Sequence, residues 1–228
     1  MNFIVIEGLD GAGKSTQIRM VEEYLLSRKI KSKFIHFPRT DSPVYGDLIS
    51  RFLRGELGDI STVNAYLIAL IYAGDRNDAA EMLRKWMNEG YVIIADRYLY
   101  SNIAFQCAKL DNQDEQKKLA LWIKDLEYNY NRIPVPDLNL FLNVPFEFTR
   151  KSLNGRQGSD RDYLKGAEDI HEANLDFQEK VREIYLRQVQ ENDDFIAIDC
   201  FDDLGGMQLP QVISEKILQL IEPKISTL

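Results

Sequence analysis

The sequence predicts an α/β fold: a P-loop, three-layer architecture in which a five-stranded parallel sheet is flanked by helices and accompanied by a short mobile lid. Short apolar runs alternate with helical patterns along the 228 residues, and this alternation is typical of a parallel sheet covered on both faces. The first apolar run ends at a phosphate-loop motif. No repeat, low-complexity tract or linker interrupts the pattern, so we expect one domain over residues 1–228.

The predicted strands are short runs rich in apolar residues, except that the second is flanked by polar residues and is closed by Pro38. The five runs are Phe3–Ile6, Lys33–His36, Tyr91–Ala95, Leu138–Leu142 and Phe195–Ile198. Helical spacing predicts helices at Ser15–Arg28, about Val44–Leu53 with Pro43 in the first turn, Thr62–Met87 and Asn112–Tyr130. Ala65–Ala73 is apolar on every side, which predicts a helix buried all round, either in the core or in a subunit interface.

Composition excludes several classes of protein. Thirty-six acidic against 28 basic residues give a net charge of −8, so a nucleic-acid coat or a lipid-surface protein is disfavoured. Cys107 and Cys200 lack metal or redox spacing, which indicates reduced core thiols. No targeting leader or membrane span is visible, and we expect a cytoplasmic protein.

The strongest motif is Gly8-Leu-Asp-Gly-Ala-Gly-Lys-Ser15, which fits G-x-x-x-x-G-K-[ST] between a predicted strand and a predicted helix. Its glycines let backbone amides converge on phosphate oxygens, and the helix start adds positive potential. Lys14 would reach the β- and γ-phosphates and Ser15 would hold Mg²⁺. The predicted ATP-binding residues are Gly8, Gly11, Ala12, Gly13, Lys14, Ser15 and Thr16.

A carboxylate and an arginine follow the third predicted strand. Asp96 is placed where a P-loop protein supplies an acid near the metal, although a turn or capping role is the alternative. Arg97 would lie at the carboxyl end of the sheet, where open α/β folds bind ligands, and is a candidate for gripping phosphate.

Other candidates flank these segments. Tyr72 and Arg76 share a helix face, which suits stacking on a ring and pairing with a phosphate of one nucleotide. Arg39 follows the second strand; for either arginine alone a surface ion pair is the alternative. Asn102 and Gln106 share a helix face, and their amides could hydrogen-bond to the edge of a pyrimidine. The alternative is that Ser101 caps the helix and that the two amides are solvated.

These segments together resemble thymidylate kinases. The matching stretches are the P-loop with Asp10 at its third position, Phe37-Pro-Arg39, Tyr72-Ala-Gly-Asp-Arg76, Asp96-Arg-Tyr98 with Ser101 and Ala104-Phe-Gln106, and Pro136-Asp-Leu-Asn-Leu-Phe-Leu-Asn-Val144. Five ordered matches cover about Phe3–Ile221. The resemblance implies transfer of phosphate from ATP to dTMP with Mg²⁺, and a homodimer.

The resemblance also implies individual roles. Tyr72 would stack on thymine, Arg76 would bind the base edge, and Asn102 or Gln106 would read it. Arg39 and Arg97 would hold the dTMP phosphate, and Phe105 would lie under the sugar C2′. Asp10 would act on the acceptor side. A catalytic arginine would come from a lid at about residues 154–166, either Arg156 or, by slight preference, Arg161.

Three other classes of P-loop protein are alternatives to this interpretation. A deoxynucleoside kinase needs a carboxylate base after the second strand, where this chain has Phe37-Pro38-Arg39. A GTPase switch would carry an NKxD stretch, which is absent from the sequence. A remodelling ATPase would hydrolyse ATP without a nucleotide acceptor.

Overall fold

The computed structural model describes residues 2–60, 62–154, 164 and 174–225. Within those ranges five parallel strands form one sheet: β1 (Phe3–Glu7), β2 (Ser32–His36), β3 (Val92–Asp96), β4 (Leu138–Asn143) and β5 (Phe195–Asp199). The strand order is β2-β3-β1-β4-β5. Ile6 of β1 pairs with Asp96 of β3, and Glu7 pairs with Phe141 of β4. The predicted α/β class and parallel sheet are confirmed.

The helices connect these strands. They are α1 (Lys14–Ser27), α2 (Tyr45–Leu53), α3 (Ala65–Asn88), α4 (Leu99–Cys107), α5 (Gln113–Lys124), α6 (Phe146–Asn154), α7 (Leu175–Glu191) and α8 (Pro210–Ile225), with a π-helical segment at Asp125–Tyr130. α1 contacts α8, whereas α4 contacts α3, α5 and α7. The sheet lies between these two groups, which gives the expected three layers.

The central strands are apolar because both of their faces are covered. Every residue of β1, β3 and β4 is buried, as expected for parallel strands between helical layers. All strands run the same way, so the segments that follow β1, β2 and β3 emerge at one edge of the sheet. That edge carries the P-loop, Arg39 and Arg97.

Close packing joins α2 to α3. A Cβ atom placed on Gly74 of α3 would lie 2.1 Å from Tyr45 Cε1, so only glycine lets the Tyr45 ring approach this helix. A second apolar cluster lies at the same contact. Its buried members are Ile49, Phe52, Leu53, Ile68 and Leu164.

Three sequence expectations need correction. The core alternative for the apolar segment of α3 does not hold in the single chain, because Tyr66, Leu67 and Leu70 are exposed, and the subunit-interface alternative stays a prediction. The helix expected over Asn112–Tyr130 is α-helical only to Lys124 and continues as the π-helical segment. Pro43 precedes α2, whose N-cap is Val44.

Two further features concern the cysteines and membrane insertion. Cys107 and Cys200 are both free and buried, as predicted. Among the described residues, no helix combines the length and apolar character that crossing a bilayer requires.

Candidate active site

The P-loop between β1 and α1 has a backbone conformation that suits anion binding. Gly11 and Gly13 have φ of 77° and 84°, a left-handed conformation that glycine adopts without strain. Gly13 is the N-cap of α1 and has no side chain with which to cap it. The first amides of the helix, together with the positive end of its dipole, are therefore available to bind a phosphate.

Lys14 lies over the loop. Its Nζ donates to the carbonyl oxygens of Gly8 at 3.2 Å and Leu9 at 3.0 Å, and it lies 3.9 Å from Asp96 Oδ1. Burial lowers the pKa of Lys14 and the nearby Arg97 charge lowers it further, although Asp96 opposes both. A phosphate in the loop would supply the negative charge that favours the protonated amine.

Asp96 ends β3 beside this lysine. Its Oδ2 lies 3.3 Å from His36 Nδ1, and its Oδ1 is buried with no hydrogen-bond partner among the described residues. Burial alone would raise the pKa of Asp96, but Lys14 and His36 outweigh that effect and lower it. Asp96 and the exposed residue Ser15 line the same cavity. An ionised carboxylate and a hydroxyl are oxygen ligands of the kind that Mg²⁺ prefers.

Arg97, the next residue along the chain, forms one wall of the site. Its backbone has φ 69°, an uncommon conformation for a non-glycine residue that is often found at functional sites. The guanidinium donates to Asp10 Oδ1 at 2.8 Å and Ser101 Oγ at 3.2 Å and lies 4.9 Å from the centre of the Phe105 ring. Burial would lower the pKa of Arg97, but the charges of Asp10, Tyr185, Asp96 and Glu7 together outweigh burial, and the net change in the pKa is upward.

Glu7 supports this wall and was missed by the sequence reasoning. It is fully buried and accepts hydrogen bonds from Tyr98 N at 2.9 Å, Ser101 N at 3.1 Å, the Tyr185 hydroxyl at 3.0 Å and the Ser101 hydroxyl. The N-cap residue of α4, Tyr98, makes no side-chain cap, so Glu7 caps α4 from the neighbouring strand. A carboxylate ending an apolar strand beside the P-loop was the available signal.

The far end of the site contains Arg76. Its Nε and Nη2 donate to both oxygens of Glu127 at 2.5 and 2.7 Å, and both side chains are buried. Burial would lower the pKa of Arg76, but the Glu127 carboxylate outweighs it and raises the pKa. Asn102 Nδ2 donates to the same carboxylate at 2.9 Å and to Ala69 O at 3.0 Å. Glu127 was also missed by the sequence reasoning.

Arg39 takes a different position from the one expected. Its Nε donates to Asp75 Oδ1 at 2.9 Å and its Nη2 to Asp78 Oδ2 at 2.6 Å. Thr40 and Pro38 line the central cavity, whereas Arg39 is not among its lining residues. The ion-pair alternative thus describes Arg39 in this structure.

One cavity of about 840 Å³ joins the P-loop to the Arg76 end. The predicted residues that line it are Asp10, Gly11, Ala12, Gly13, Lys14, Ser15, Thr16, Tyr72, Arg76, Asp96, Arg97, Ser101, Asn102, Phe105 and Gln106. Gly8 contributes its carbonyl oxygen to Lys14 instead. The lining also includes His36, Phe148 and Ser152, which the sequence reasoning did not assign to the site. Arg156 and Arg161 lie outside the described residues.

The site occurs in a chain whose sequence matches a known family. The model of the family described as thymidylate kinase matches residues 6–204, which is most of the chain. This chain belongs to the thymidylate kinase family. The match includes the P-loop, the Arg97 wall and the residues around Arg76.

Individual thymidylate kinases agree with the family match. The chain is 30% identical to thymidylate kinase of Mycobacterium tuberculosis (strain CDC 1551 / Oshkosh) over 80% of this chain and 83% of that protein. It is 32% identical to a probable thymidylate kinase of Thermococcus kodakarensis over 96% of this chain and 97% of that one. The solved thymidylate kinase of Candida albicans superposes with a TM-score of 0.71 at 27% identity, covering 98% of this chain and 92% of that chain.

Proposed function

We propose that this chain transfers the γ-phosphate of ATP to dTMP, giving ADP and dTDP. The observation that carries this proposal is that Lys14 and Arg97 line the same cavity, and that Arg97 is joined to Asp10 of the P-loop itself. Lys14 would thus bind the donor phosphate and Arg97 the acceptor phosphate, and the two phosphates would lie next to each other. Transfer between two bound nucleotides requires this adjacency.

On the ATP side, the amides of Gly11, Gly13 and the first turn of α1 would hold the phosphate chain. Lys14 would neutralise charge on the transferred group. Ser15 and Asp96 would hold Mg²⁺ directly or through water, and the ion would supply further neutralisation of phosphate charge.

On the dTMP side, Arg97 would bind the acceptor phosphate, with Asp10 and Ser101 holding the guanidinium in place. Tyr72 would stack on the base and Phe105 would lie under the sugar. Arg39 would reach the phosphate only after its side chain leaves Asp75 and Asp78. The residues at about 154–166 would act as a lid within a single domain, supplying Arg161 or Arg156 to the transferred group.

The transfer itself needs no general base. An oxygen of the dTMP phosphate is already ionised, and it forms a bond to the γ-phosphorus as the bond to the bridging oxygen of ADP breaks. Positioning and charge neutralisation by Lys14 and Arg97 therefore account for most of the expected catalysis. Exclusion of water from the cavity would limit hydrolysis of ATP.

The test is ADP release measured with ATP, Mg²⁺ and a panel of acceptors. We expect activity with dTMP and little ADP release without an acceptor. Activity with thymidine but not dTMP would support a deoxynucleoside kinase instead. Equal ADP release with and without an acceptor would identify a P-loop ATPase or switch. Either result would overturn the proposal.

We also propose a homodimer formed through α3. Tyr66, Leu67 and Leu70 expose 38%, 61% and 48% of their surface, and side chains of this size on one helix end suit burial by a second copy. Sedimentation should give twice the chain mass, and Leu67→Lys should give the single-chain mass. A wild-type chain that sediments as a monomer at micromolar concentration would refute the dimer.

The expected setting is the cytoplasm, since both cysteines are free and buried and free thiols persist in reducing compartments. ATP and dTMP would be the partners. The net charge of −8 disfavours nucleic acid. Cell fractionation with a tagged chain tests the location.

A further inference from the structure

The orientation of one buried amide is set by its neighbours. Asn102 Nδ2 lies 3.0 Å from Ala69 O and 2.9 Å from Glu127 Oε1. Both of these atoms are hydrogen-bond acceptors, so the amide group must place its NH₂ between them. The reverse orientation would set Oδ1 against two acceptors and would leave a buried repulsion.

Fixing the NH₂ group also fixes the other half of the amide. Asn102 Oδ1 is buried and has no hydrogen-bond partner among the described residues, while Asn102 lines the central cavity. A buried acceptor without a partner costs free energy unless a ligand supplies a donor. The amide therefore offers an acceptor to whatever occupies this end of the cavity.

Glu127 also orients the guanidinium of Arg76, which is a hydrogen-bond donor. Its carboxylate engages Nε and Nη2 of Arg76, so Nη1 is the guanidinium nitrogen that Glu127 does not engage, and Arg76 also lines the cavity. One carboxylate thus orients two side chains, presenting a donor from Arg76 and an acceptor from Asn102. Glu127 lies in the π-helical segment Asp125–Tyr130, and such segments are frequent at functional sites.

We propose that Glu127 is a specificity-determining positioning residue: by orienting Arg76 and Asn102 it selects pyrimidines with a 4-oxo group and a protonated N3, and rejects the 4-amino base of cytosine nucleotides. This inference rests on the proposed function, because it concerns the base end of the dTMP site. The inference adds Glu127 to the residues that determine base specificity, although Glu127 does not itself contact the base.

The chemistry of the two base types explains the selection. Thymine and uracil present O4 as an acceptor and N3–H as a donor, which matches Arg76 Nη1 and Asn102 Oδ1. Cytosine presents an N4 amino donor and an unprotonated N3 acceptor, so both contacts become repulsive. A site that hydrogen-bonds its substrate rejects such analogues by large factors because its buried polar groups stay unpaired.

The test is Glu127→Gln with dTMP, dUMP and dCMP as acceptors. Glutamine has the same shape, but it has only one acceptor oxygen and adds a donor, so it no longer holds both Arg76 and Asn102 in place. We expect kcat/KM to fall about tenfold or more for dTMP and for dUMP, with dCMP affected much less, so that the dTMP to dCMP ratio falls about tenfold or more. An equal fall for all three acceptors would overturn the proposal.

A matched control is Glu7→Gln, which alters a second fully buried carboxylate at the phosphate end of the cavity. It should lower kcat/KM for dTMP and dCMP by the same factor. In an Asn102→Ala background, Glu127→Gln should change the dTMP to dCMP ratio much less than in the wild type. An undiminished change would show that Glu127 does not act through Asn102.

A crystal of the wild-type chain with dTMP keeps the inference testable if Glu127→Gln does not fold. Asn102 should bridge thymine N3 and Glu127, and a base bound away from Asn102 would overturn the inference. Failure of the proposed function gives a different result, since the wild type would then not phosphorylate dTMP at all.

Discussion

Replacing Lys109 by methionine should stabilise the protein. Lys109 Nζ is buried without a hydrogen-bond partner among the described residues and lies 4.5 Å from the centre of the Phe52 ring. Burial lowers the pKa of Lys109 from 10.5 to about 7. Methionine is unbranched like lysine and one atom shorter, and it ends in a methyl group in place of the amine, so the cost of burying that amine disappears.

The magnitude follows from the pKa change. A fall from 10.5 to about 7 corresponds to a cost of about 5 kcal/mol at a pH low enough to protonate the lysine in both the folded and the unfolded chain. At about pH 7 roughly 4 kcal/mol of that cost remains, and at about pH 9 roughly 2 kcal/mol. The contact with Phe52 offsets about 1–2 kcal/mol of it. We therefore expect Lys109→Met to gain about 2–3 kcal/mol at about pH 7.

The pH dependence has a definite sign. The folded pKa is lowered, so between about pH 7 and 10.5 the unfolded chain binds more protons than the folded one, and this group makes stability rise with pH. The advantage of Lys109→Met should therefore shrink by about 2 kcal/mol between about pH 7 and about pH 9.

Urea unfolding of both proteins at the two pH values measures this change. Lys117→Met is the control: it removes an exposed lysine and should change stability by less than about 0.5 kcal/mol. A Lys109→Met protein that is less stable than the wild type, or a difference that is constant with pH, would refute the argument.

Three further outcomes are expected. Lys14→Ala should lower kcat by orders of magnitude, and near-normal turnover would contradict its role. Gly74→Ala should lower the free energy of unfolding in urea by about 1–3 kcal/mol because its Cβ meets the Tyr45 ring. In a Tyr45→Ala background, the same substitution should instead raise the free energy of unfolding by up to about 1 kcal/mol, relative to Tyr45→Ala alone. Burial raises the pKa of Cys107 and of Cys200 to about 12, so an aromatic disulfide reagent at about pH 8 should label neither thiol until the chain is unfolded.

The sequence was most informative where function depends on local backbone geometry. Gly11, Gly13 and Lys14 are diagnostic because a phosphate loop needs glycines and a lysine at fixed spacing before a helix. The strands were also predictable, because burial on both faces requires apolar runs. Asp96 and Arg97 were predicted as candidate site residues because they lie at the end of one of those runs.

The supporting carboxylates were not predictable in this way. Glu7 binds Ser101, 94 residues further along the chain, and Glu127 binds Arg76 across 51 residues. No periodicity relates partners that only the folded chain brings together. For the same reason the pairing of Arg39 with Asp75 and Asp78 was not anticipated, because it depends on how β2 is placed against α3.

Apolar character alone also could not show how much of α3 a single chain covers. Leu67 and Leu70 are as apolar as Ile68, yet they are exposed whereas Ile68 is buried. An apolar sequence pattern predicts that a helix is buried, but it does not show whether the helix is buried by the rest of its own chain or by another molecule.

The adjacency of β1 and β3 has a consequence for how the enzyme can evolve. Gly8 follows the last residue of β1 and Arg97 follows the last residue of β3, and the two strands pair directly at Ile6 and Asp96. Neighbouring strands are held about 4.8 Å apart by the backbone itself. The spacing between the P-loop and Arg97, the two proposed phosphate-binding segments, is therefore set by main-chain geometry that side-chain substitutions leave unchanged. If Arg76, Asn102 and Glu127 set the base preference, as proposed, substitutions there can change that preference without altering this spacing.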